Sequence, residues 1–448
     1  MSEGFEKIIR ETESTCPECH KGIKALVVER EGKVFMDKEC PEHGRFDLKI
    51  SEHPWYYAGL NEYYFKVMPG SMEQRRYYLY LSNRCNLNCP ICLLEPNQNK
   101  KPDITLARFK ELIEKNKRSR FYLYGAEPTL LEDIEEWIRL LKSRGNVVNM
   151  HTNGIKLADE GYVEKLKNCG LDYVSLQFDG FDDKIYNTLR GRSLLDIKLK
   201  ALDNLGKFNI STGLNVTVVK GINDDQIGDI IDYAVRRSFI KDVSFATLSF
   251  LGNTNDNFSP DPFLMPDALI DLTEDQTGGK ISRKSVFLFQ KLYYAILSIF
   301  KIRRCYNFHH IALVRTPDNG YYTFDKLFKL DRFEKKLDKY KRLVQKDRKL
   351  AAVYFFAQFF LNFLKSDLFE KLRCVPLNII IPGKIISPRI PSRVLLVSFG
   401  TVCDFYKYDA QIAQYCGQGF CLSEGGDMVL TDSISDVTLF NKNGATCK

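Results

Sequence analysis

Cys85, Cys89 and Cys92 stand in a C-x3-C-x2-C arrangement within the run Cys85-Asn-Leu-Asn-Cys89-Pro-Ile-Cys92. Three thiolates on one short loop can bind three corners of a cubane iron–sulfur cluster, [4Fe-4S], and leave the fourth iron open to a small molecule. A closed zinc site wants a fourth protein ligand nearby, and none follows locally. A second set lies upstream, in Cys16-Pro-Glu-Cys19 and Cys40-Pro-Glu-His43-Gly44. A C-x2-C pair and a C-x2-H pair fit tetrahedral zinc or a mononuclear iron. The ordinary alternative, two unrelated turns, is less favoured because four soft ligands recur in two matched pairs. His20, beside Cys19, is expected to face solvent. Between the pairs, residues 24–30 and 33–38 flank Glu31-Gly32, which reads as a hairpin with ligands at each end.

These residues need elements to hold them. From residue 77 the pattern alternates. Strands are expected at 77–82, 120–124, 147–151, 173–177, 211–219 and 242–247, with helices at 106–117, 131–144, 161–169, 194–208 and 225–237. Six strand-then-helix units imply a parallel sheet or barrel with the site at the C-terminal strand ends. The expected fold class is α/β: a partial (β/α)6 TIM-like barrel with a small N-terminal metal-binding unit and a C-terminal helical, Cys-containing extension. The expected divisions are 1–50 for the metal unit, 51–76 for a linker, 77–252 for the barrel core, 253–375 for a helical, aromatic and basic region, and 376–448 for a Cys-containing end.

A three-cysteine loop just past the first strand of such a series resembles the radical S-adenosylmethionine (SAM) superfamily. The next strands carry matching pieces. Gly125-Ala126-Glu127-Pro128 resembles the GGEP motif that binds the methionine amino group, with Ala126 in place of a glycine. Thr152-Asn153-Gly154, Ser175, Asp179 and Arg190 fall where relatives contact the ribose and carboxylate of SAM, and Asn215 where they hold adenine. Taken alone, Gly154 is an ordinary turn and Asp179 an ordinary helix cap; their common register with the strands favours the cofactor reading. The resemblance implies reductive cleavage of SAM to a 5′-deoxyadenosyl radical that takes hydrogen from unactivated carbon. It also implies a one-electron reductant such as ferredoxin or flavodoxin, and no acid–base residue for the first step.

The combination of CPEC, CPEHG and the cluster loop is similar to the tetraether lipid synthases of archaea, which have a rubredoxin-like N-terminal site and join lipid tails by carbon–carbon bonds. Relatives of that family methylate a hydroxymethyl-dihydropterin. The similarity covers residues 14–250 and continues in fragments at 272–278 and 398–416. The chain departs from the pattern at Gly252-Asn253, where the family has Gly-Arg. Cys374, Cys403, Cys416 and Cys421, with Cys305 as a further candidate, are expected to hold an auxiliary cluster, and a second one if Cys447 joins. The competing reading makes Cys305 and Cys374 buried thiols. Cys169 is expected to be structural.

Composition narrows the classes. Apolar residues make up 44% and charged residues 27% of the 448, which excludes a disordered or fibrous chain. Thirteen cysteines are too sparse for a secreted disulfide scaffold. Residues 1–10 lack an apolar signal core, so the expected location is the cytoplasm, with peripheral contact on the inner face of the membrane. Of the net charge of +8, the eleven Lys/Arg and four Asp/Glu of residues 326–349 carry +7. That run points to an anionic partner or to a solvated helix face. The apolar stretches 286–302 and 350–364 fall short of the ~18 residues of a membrane span; each reads as a core helix, a cavity wall or a surface-lying helix. Three functions stay open: a radical SAM enzyme forming carbon–carbon bonds on an apolar lipid, a radical SAM methylase of a soluble heterocycle such as a dihydropterin, and an electron-transfer protein without turnover. Nucleic acid ranks last, since no nucleic-acid module is present.

Overall fold

The computed structural model describes residues 6–68, 76–94, 96–97, 106, 110, 113–114, 118–258, 264–302, 304–367, 392–415, 419–424 and 427–431. The N-terminal unit is a four-stranded antiparallel meander, β1 (Lys7–Thr15), β2 (Gly22–Arg30), β3 (Lys33–Cys40) and β4 (Gly44–Ser51), in that order. Glu31 and Gly32, both at positive φ, close the β2–β3 hairpin.

The main sheet starts with six parallel strands, each paired with the next in chain order: β5 (Arg76–Tyr80), β6 (Arg120–Tyr124), β7 (Val147–Thr152), β8 (Tyr173–Gln177), β9 (Ser211–Val218) and β10 (Ile240–Thr247). This is the strand order of a (β/α)6 partial barrel, and the α/β class is the one the alternating pattern predicts. Helices cover one face. In the helix Ile134–Ser143, the buried Ile134, Trp137, Ile138 and Leu141 recur at i, i+3, i+4 and i+7. They pack on Phe121, Leu123, Val148 and Met150, which alternate along β6 and β7.

The sheet continues past residue 252. β13 (Val394–Thr401) pairs parallel with β10, β11 (Phe308–Arg315) pairs antiparallel with β13, and β12 (Tyr321–Thr323) follows β11. At the other edge β14 (Gly419–Glu424) lies parallel to β5, and β15 (Asp427–Thr431) beside it. Residues 253–375 therefore contribute strands as well as helices. Arg315 fastens β13 in place: its guanidinium donates to the carbonyls of Ala234, Val235 and Arg237 at the end of the helix Ile227–Val235, and to Ile240 and Val394. Charge-assisted bonds to a helix C-terminus favour this docking.

The stretch expected as a linker is in fact the helix Pro54–Val67. Tyr56, Tyr57, Leu60, Tyr63, Tyr64 and Val67 form its buried face, at helical spacing, against the helix Arg283–Ile299. Helix Arg283–Ile299, on the apolar stretch 286–302, is itself a core element, with Val286, Leu288, Leu292, Ala295 and Leu297 buried. No described helix is long and apolar enough to cross a membrane.

Candidate metal centres and the loops that hold them

The four N-terminal ligand candidates meet. The donor atoms of Cys16, Cys19, Cys40 and His43 all lie within 4.8 Å of one another. Cys16 Sγ is 3.7 Å and Cys40 Sγ 3.5 Å from His43 Nδ1, and Cys19 Sγ is 3.9 Å from Cys40 Sγ. Tetrahedral zinc, at about 2.3 Å from sulfur and about 2.0 Å from nitrogen, separates its ligands by roughly 3.5–3.8 Å. The four groups thus fit a metal with little movement. The hydrogen bond from His43 draws the Cys40 thiol down to about 6, toward the thiolate that metals bind.

This unit is pinned to the chain's C-terminal part. Lys38, fully buried, donates its ammonium to Ser14 Oγ (3.0 Å), Thr15 O (2.8 Å), Phe405 O (3.0 Å) and Tyr406 O (2.8 Å). Burial still pulls its pKa down to about 8. Arg10 forms an ion pair with Asp409, which also accepts from Thr12 Oγ1 at 2.9 Å. His20, expected to face solvent, instead stacks on Phe405.

The three-cysteine loop leaves the C-terminal end of β5. Leu87 N–H donates to Cys85 Sγ at 3.3 Å, Asn153 Nδ2 lies 3.8 Å from the same sulfur, and Arg190 hydrogen-bonds Cys89. Amide and guanidinium donors aimed at sulfur are what an anionic cluster needs around it. Leu87, Tyr186 and Leu194 pack around Cys85 and Cys89, and Tyr78, Tyr80 and Leu94 around Cys92, giving a dry shell. Burial pushes the Cys85 and Cys92 thiols up to about 11 and about 12. Three sulfurs on one loop, with donors from the loop after β7 and from the end of the helix Asp183–Arg190, fit a three-ligand cluster site.

Each neighbouring loop is locked to this one. Glu127, fully buried, accepts from Thr129 N (3.2 Å), Thr129 Oγ1 (2.6 Å), Thr152 Oγ1 (2.7 Å) and Asn153 N (2.7 Å). Its carboxylate thereby ties the end of β6 to the end of β7. Gly125, at φ +134°, lies so close to Ser82 that an added Cβ would sit 2.9 Å from the Ser82 carbonyl oxygen. Pro128 opens the short helix that follows, and Ala126 donates its N–H to Ser82 O at 2.9 Å. Gly154, at φ +79°, turns the chain where a side chain would meet Leu176. Asp179 is buried and holds Arg190 with two bonds of 2.7 and 2.9 Å. Ser175 accepts from Asn215 Nδ2 at 2.6 Å. Glu127 and Asp179 thus act on other protein groups, while Ser175 and Asn215 stand on the inner wall.

Two features escaped sequence reading. Lys198, fully buried on the helix Leu195–Lys207, donates to Asn153 O and to Gln177 Oε1, the latter at 2.5 Å; burial lowers its pKa to about 7. The loop after β10 clamps the cluster loop: Asn253 N donates to Cys92 O (2.9 Å), Asn253 Nδ2 to Cys89 O (3.3 Å) and Asn257 Nδ2 to Pro90 O (3.2 Å). Asn253 is the residue at which the chain departs from the family pattern.

Among the expected auxiliary ligands, Cys374 and Cys416 lie outside the described residues, as does Cys447. Cys421 is on β14 in register with Leu79, and Cys403 follows β13. Cys403 is hydrogen-bonded to Cys305 and accepts from Asn307 Nδ2 at 3.2 Å. Cys169 is buried at the end of the helix Glu160–Asn168.

Parts of the chain are similar to known proteins. Residues 8–52 match the HMPTM N-terminal zinc ribbon domain. The chain is 32% identical over 307 residues to a 7,8-dihydro-6-hydroxymethylpterin dimethyltransferase of Methanocaldococcus jannaschii, covering 62% of this chain and 61% of that one. It is 34% identical over 158 residues to a probable GTP 3',8-cyclase of Pyrococcus abyssi, covering 34% and 51%. Among solved structures, SuiB of Streptococcus suis bound to S-adenosylmethionine superposes with a TM-score of 0.40 at 20% identity, over 46% of this chain and 47% of that one. The chain therefore spans less than two thirds of the length of the curated relatives it matches. Residues 79–234 match the radical SAM superfamily; the match begins on β5, the strand before the three-cysteine loop, and takes in the loops of Glu127, Thr152 and Asp179, so this segment of the chain is a radical SAM domain.

Proposed function

We propose that this chain activates a carbon–hydrogen bond of a planar, polar small molecule, with methylation of a heterocycle as the reaction class. A [4Fe-4S] cluster on Cys85, Cys89 and Cys92, with SAM on its open iron, supplies the hydrogen-abstracting radical when bound. The chain's own residues hold the loops, exclude water and present the substrate wall.

The observation that carries this reading is the inner wall of the sheet. Gln177, Asn215, Ser244, Ser398 and His310 sit side by side on five neighbouring strands. Below them, Tyr78 and Tyr122 stack with ring centroids 4.3 Å apart and planes 5° apart, with His151 5.6 Å from Tyr122. Along β10 the fully buried Val243 and Phe245 alternate with the half-buried Asp242, Ser244 and Ala246, so the polar face is the accessible one. Gln177, Asn215 and His310 are already engaged with Lys198, Ser175 and Gln290, and an apolar chain on this wall would exclude water from the hydroxyls of Ser244 and Ser398, at a cost of about 1–3 kcal/mol for each one left unpaired. A flat heterocycle satisfies them and borders the stacked Tyr78–Tyr122 pair. The named activity of the Methanocaldococcus relative is of this class.

A lipid substrate is the second reading, and one observation favours it. On the helix Arg348–Leu364, Leu350, Val353, Phe356, Phe360, Leu361 and Leu364 form one stripe with 38% to 68% of each residue exposed. Exposed Lys335, Lys336, Lys339, Arg342, Lys346 and Lys349 border it. An apolar stripe beside cations suits the surface of an anionic membrane.

The deciding experiment is anaerobic reconstitution, reduction and addition of SAM with candidate substrates. Formation of 5′-deoxyadenosine that disappears in Cys85→Ala supports the radical reaction, and its absence with a loaded cluster counts against it. Stimulation by pterins rather than by a lipid extract, with no pelleting on anionic liposomes, selects the first reading.

A further inference from the structure

Two histidines stand next to each other on β11 and face opposite ways, because side chains alternate along a strand. His309 turns toward the helix Pro54–Val67, where its Nδ1 lies 2.9 Å from Tyr56 Oη. His310 turns toward the inner wall. It stands directly opposite Ser398 on β13, which in turn pairs with Ser244 on β10. Residues paired in this way share a face of the sheet. His309 is buried, whereas His310 is half-buried.

One glutamine sets the state of the His310 ring. Gln290, fully buried on the helix Arg283–Ile299, caps the edge of β11 that β12 does not reach. Its Nε2 donates to Phe308 O at 3.3 Å, and its Oε1 accepts from His310 N at 2.8 Å. A carbonyl only accepts and a backbone N–H only donates, so these two bonds fix which end of the Gln290 amide is oxygen. The same oxygen lies 3.3 Å from His310 Nδ1. An oxygen acceptor at that position requires the proton on Nδ1. Nε2 is left with its lone pair, and no described residue bonds it. Tyr293 packs on the ring, with centroids 4.7 Å apart, and helps to hold its direction. Burial, with His309 and Arg304 nearby, lowers the His310 pKa to about 3, so the ring is neutral at neutral pH. An acceptor-only nitrogen on β11 thus stands beside a Ser398 hydroxyl that can donate. Directly opposite residues hold their Cβ atoms about 4.5–5.5 Å apart, within reach of two adjacent groups on one ring.

We infer that His310 is a specificity-determining residue: its Nε2 accepts a hydrogen bond from a ring N–H of the substrate, while Ser398 donates to the carbonyl beside that N–H. The pair reads the edge of a cyclic amide. This rests on the proposed reading of the substrate as a heterocycle, and it adds which edge of the ring meets β11 and β13. An apolar lipid tail offers neither group.

The test is calorimetry on cluster-loaded protein with two probes: pterin, whose ring carries such an edge, and 3-methylpterin, in which a methyl group replaces the N–H proton. The wild type is expected to bind pterin about tenfold more tightly, because a site built around a substrate N–H rejects the analogue that lacks it. His310→Phe keeps a ring against Tyr293 and accepts nothing; it is expected to bind both probes equally weakly. His310→Gln, which brings an amide oxygen within reach, is expected to recover part of the preference. A preference that persists in His310→Phe, or that is absent from the wild type, overturns the assignment and leaves the heterocycle reading standing. Failure of the wild type to bind either probe overturns the heterocycle reading, and the amide edge with it. The nitrogen NMR signal of His310 Nε2 in the substrate-free protein tests the ring by itself. An unprotonated nitrogen is expected, and a protonated one overturns the acceptor whatever binds.

Discussion

The imidazole of His20 lies flat on the ring of Phe405, with centroids 3.8 Å apart and planes at 17°. The relationship joins two candidate metal sites that are far apart in sequence. His20 follows Cys19 directly, and Phe405 packs on Leu251 and Leu93, the residue after Cys92. A continuous packed path therefore runs from the N-terminal ribbon to the cluster loop.

Phe405→Ala is expected to damage both ends of that path. Phe405 is buried, and removing a buried phenyl ring costs about 3–5 kcal/mol. The expected outcome is a lower thermal midpoint and fewer than the wild-type number of iron atoms after reconstitution, with the ribbon metal retained on Cys16, Cys19, Cys40 and His43. Metal analysis by element separates the two sites. Unchanged iron with a lowered midpoint would mean that the contact is structural only.

Gly252→Ala should be the most harmful single methyl near the cluster. Gly252 has φ +59°, and an added Cβ would lie 2.5 Å from Cys92 O and 2.9 Å from the Leu93 backbone. Those atoms are backbone, so relief requires moving the loop that Asn253 holds. Left-handed strain adds on the order of 1 kcal/mol. Reconstituted Gly252→Ala is expected to lose most of its cluster absorbance, while Asn253→Ala, which removes the side-chain bond to Cys89 O but keeps the backbone bond to Cys92 O, loses part of it. Equal iron content in all three proteins would be the contrary result.

Glu127→Gln separates a positioning residue from a merely buried one. The carboxylate accepts four hydrogen bonds, two from backbone N–H groups and two from threonine hydroxyls. Glutamine offers one oxygen and places an NH2 against at least one of those donors. Losing a charge-assisted bond costs about 1.5–3 kcal/mol. The expected result is weaker SAM binding, by tenfold or more, with the cluster still assembled, because the cysteine loop itself is untouched. Loss of iron together with SAM affinity would mean that Glu127 supports the whole fold instead.

The grouping of the candidate metal ligands Cys16, Cys19, Cys40 and His43 was legible because their residue types are rare and their spacing is tight. Cys16, Cys19, Cys40 and His43 lie within one short meander, so sequence distance approximates spatial distance. The six parallel strands and the helices expected at 131–144, 161–169, 194–208 and 225–237 were legible for the same local reason, while the helix expected at 106–117 lies largely outside the described residues. What escaped is non-local. β13 pairs with β10 although residues 248–393 intervene, and no local pattern announces such a partner. The helix Pro54–Val67 hides behind its tyrosines, which suit a strand or a loop as well as a helix. Lys38, Lys198 and Arg315 look like surface cations in the sequence; their burial depends on carbonyls supplied by distant turns.

Acid should destabilise the folded chain through its buried histidines, and His309 gives the cleanest test. Burial lowers the His309 pKa to about 3; His310 falls to about 3 and His151 to about 4. Each is depressed below the unfolded value of about 6.5. Between those limits the unfolded chain binds more protons than the native one, so stability rises with pH across this window. The contribution is fully present above about pH 6.5 and is lost progressively as pH falls toward 3. Tyr56 Oη lies 2.9 Å from His309 Nδ1, and His309 Nε2 is buried without a partner among the described residues. His309→Gln keeps a polar group for Tyr56 and cannot take up a proton. Its thermal midpoint is expected to trail the wild type at pH 8 and to approach or pass it by pH 5. Parallel curves over that range would assign the acid sensitivity to other groups.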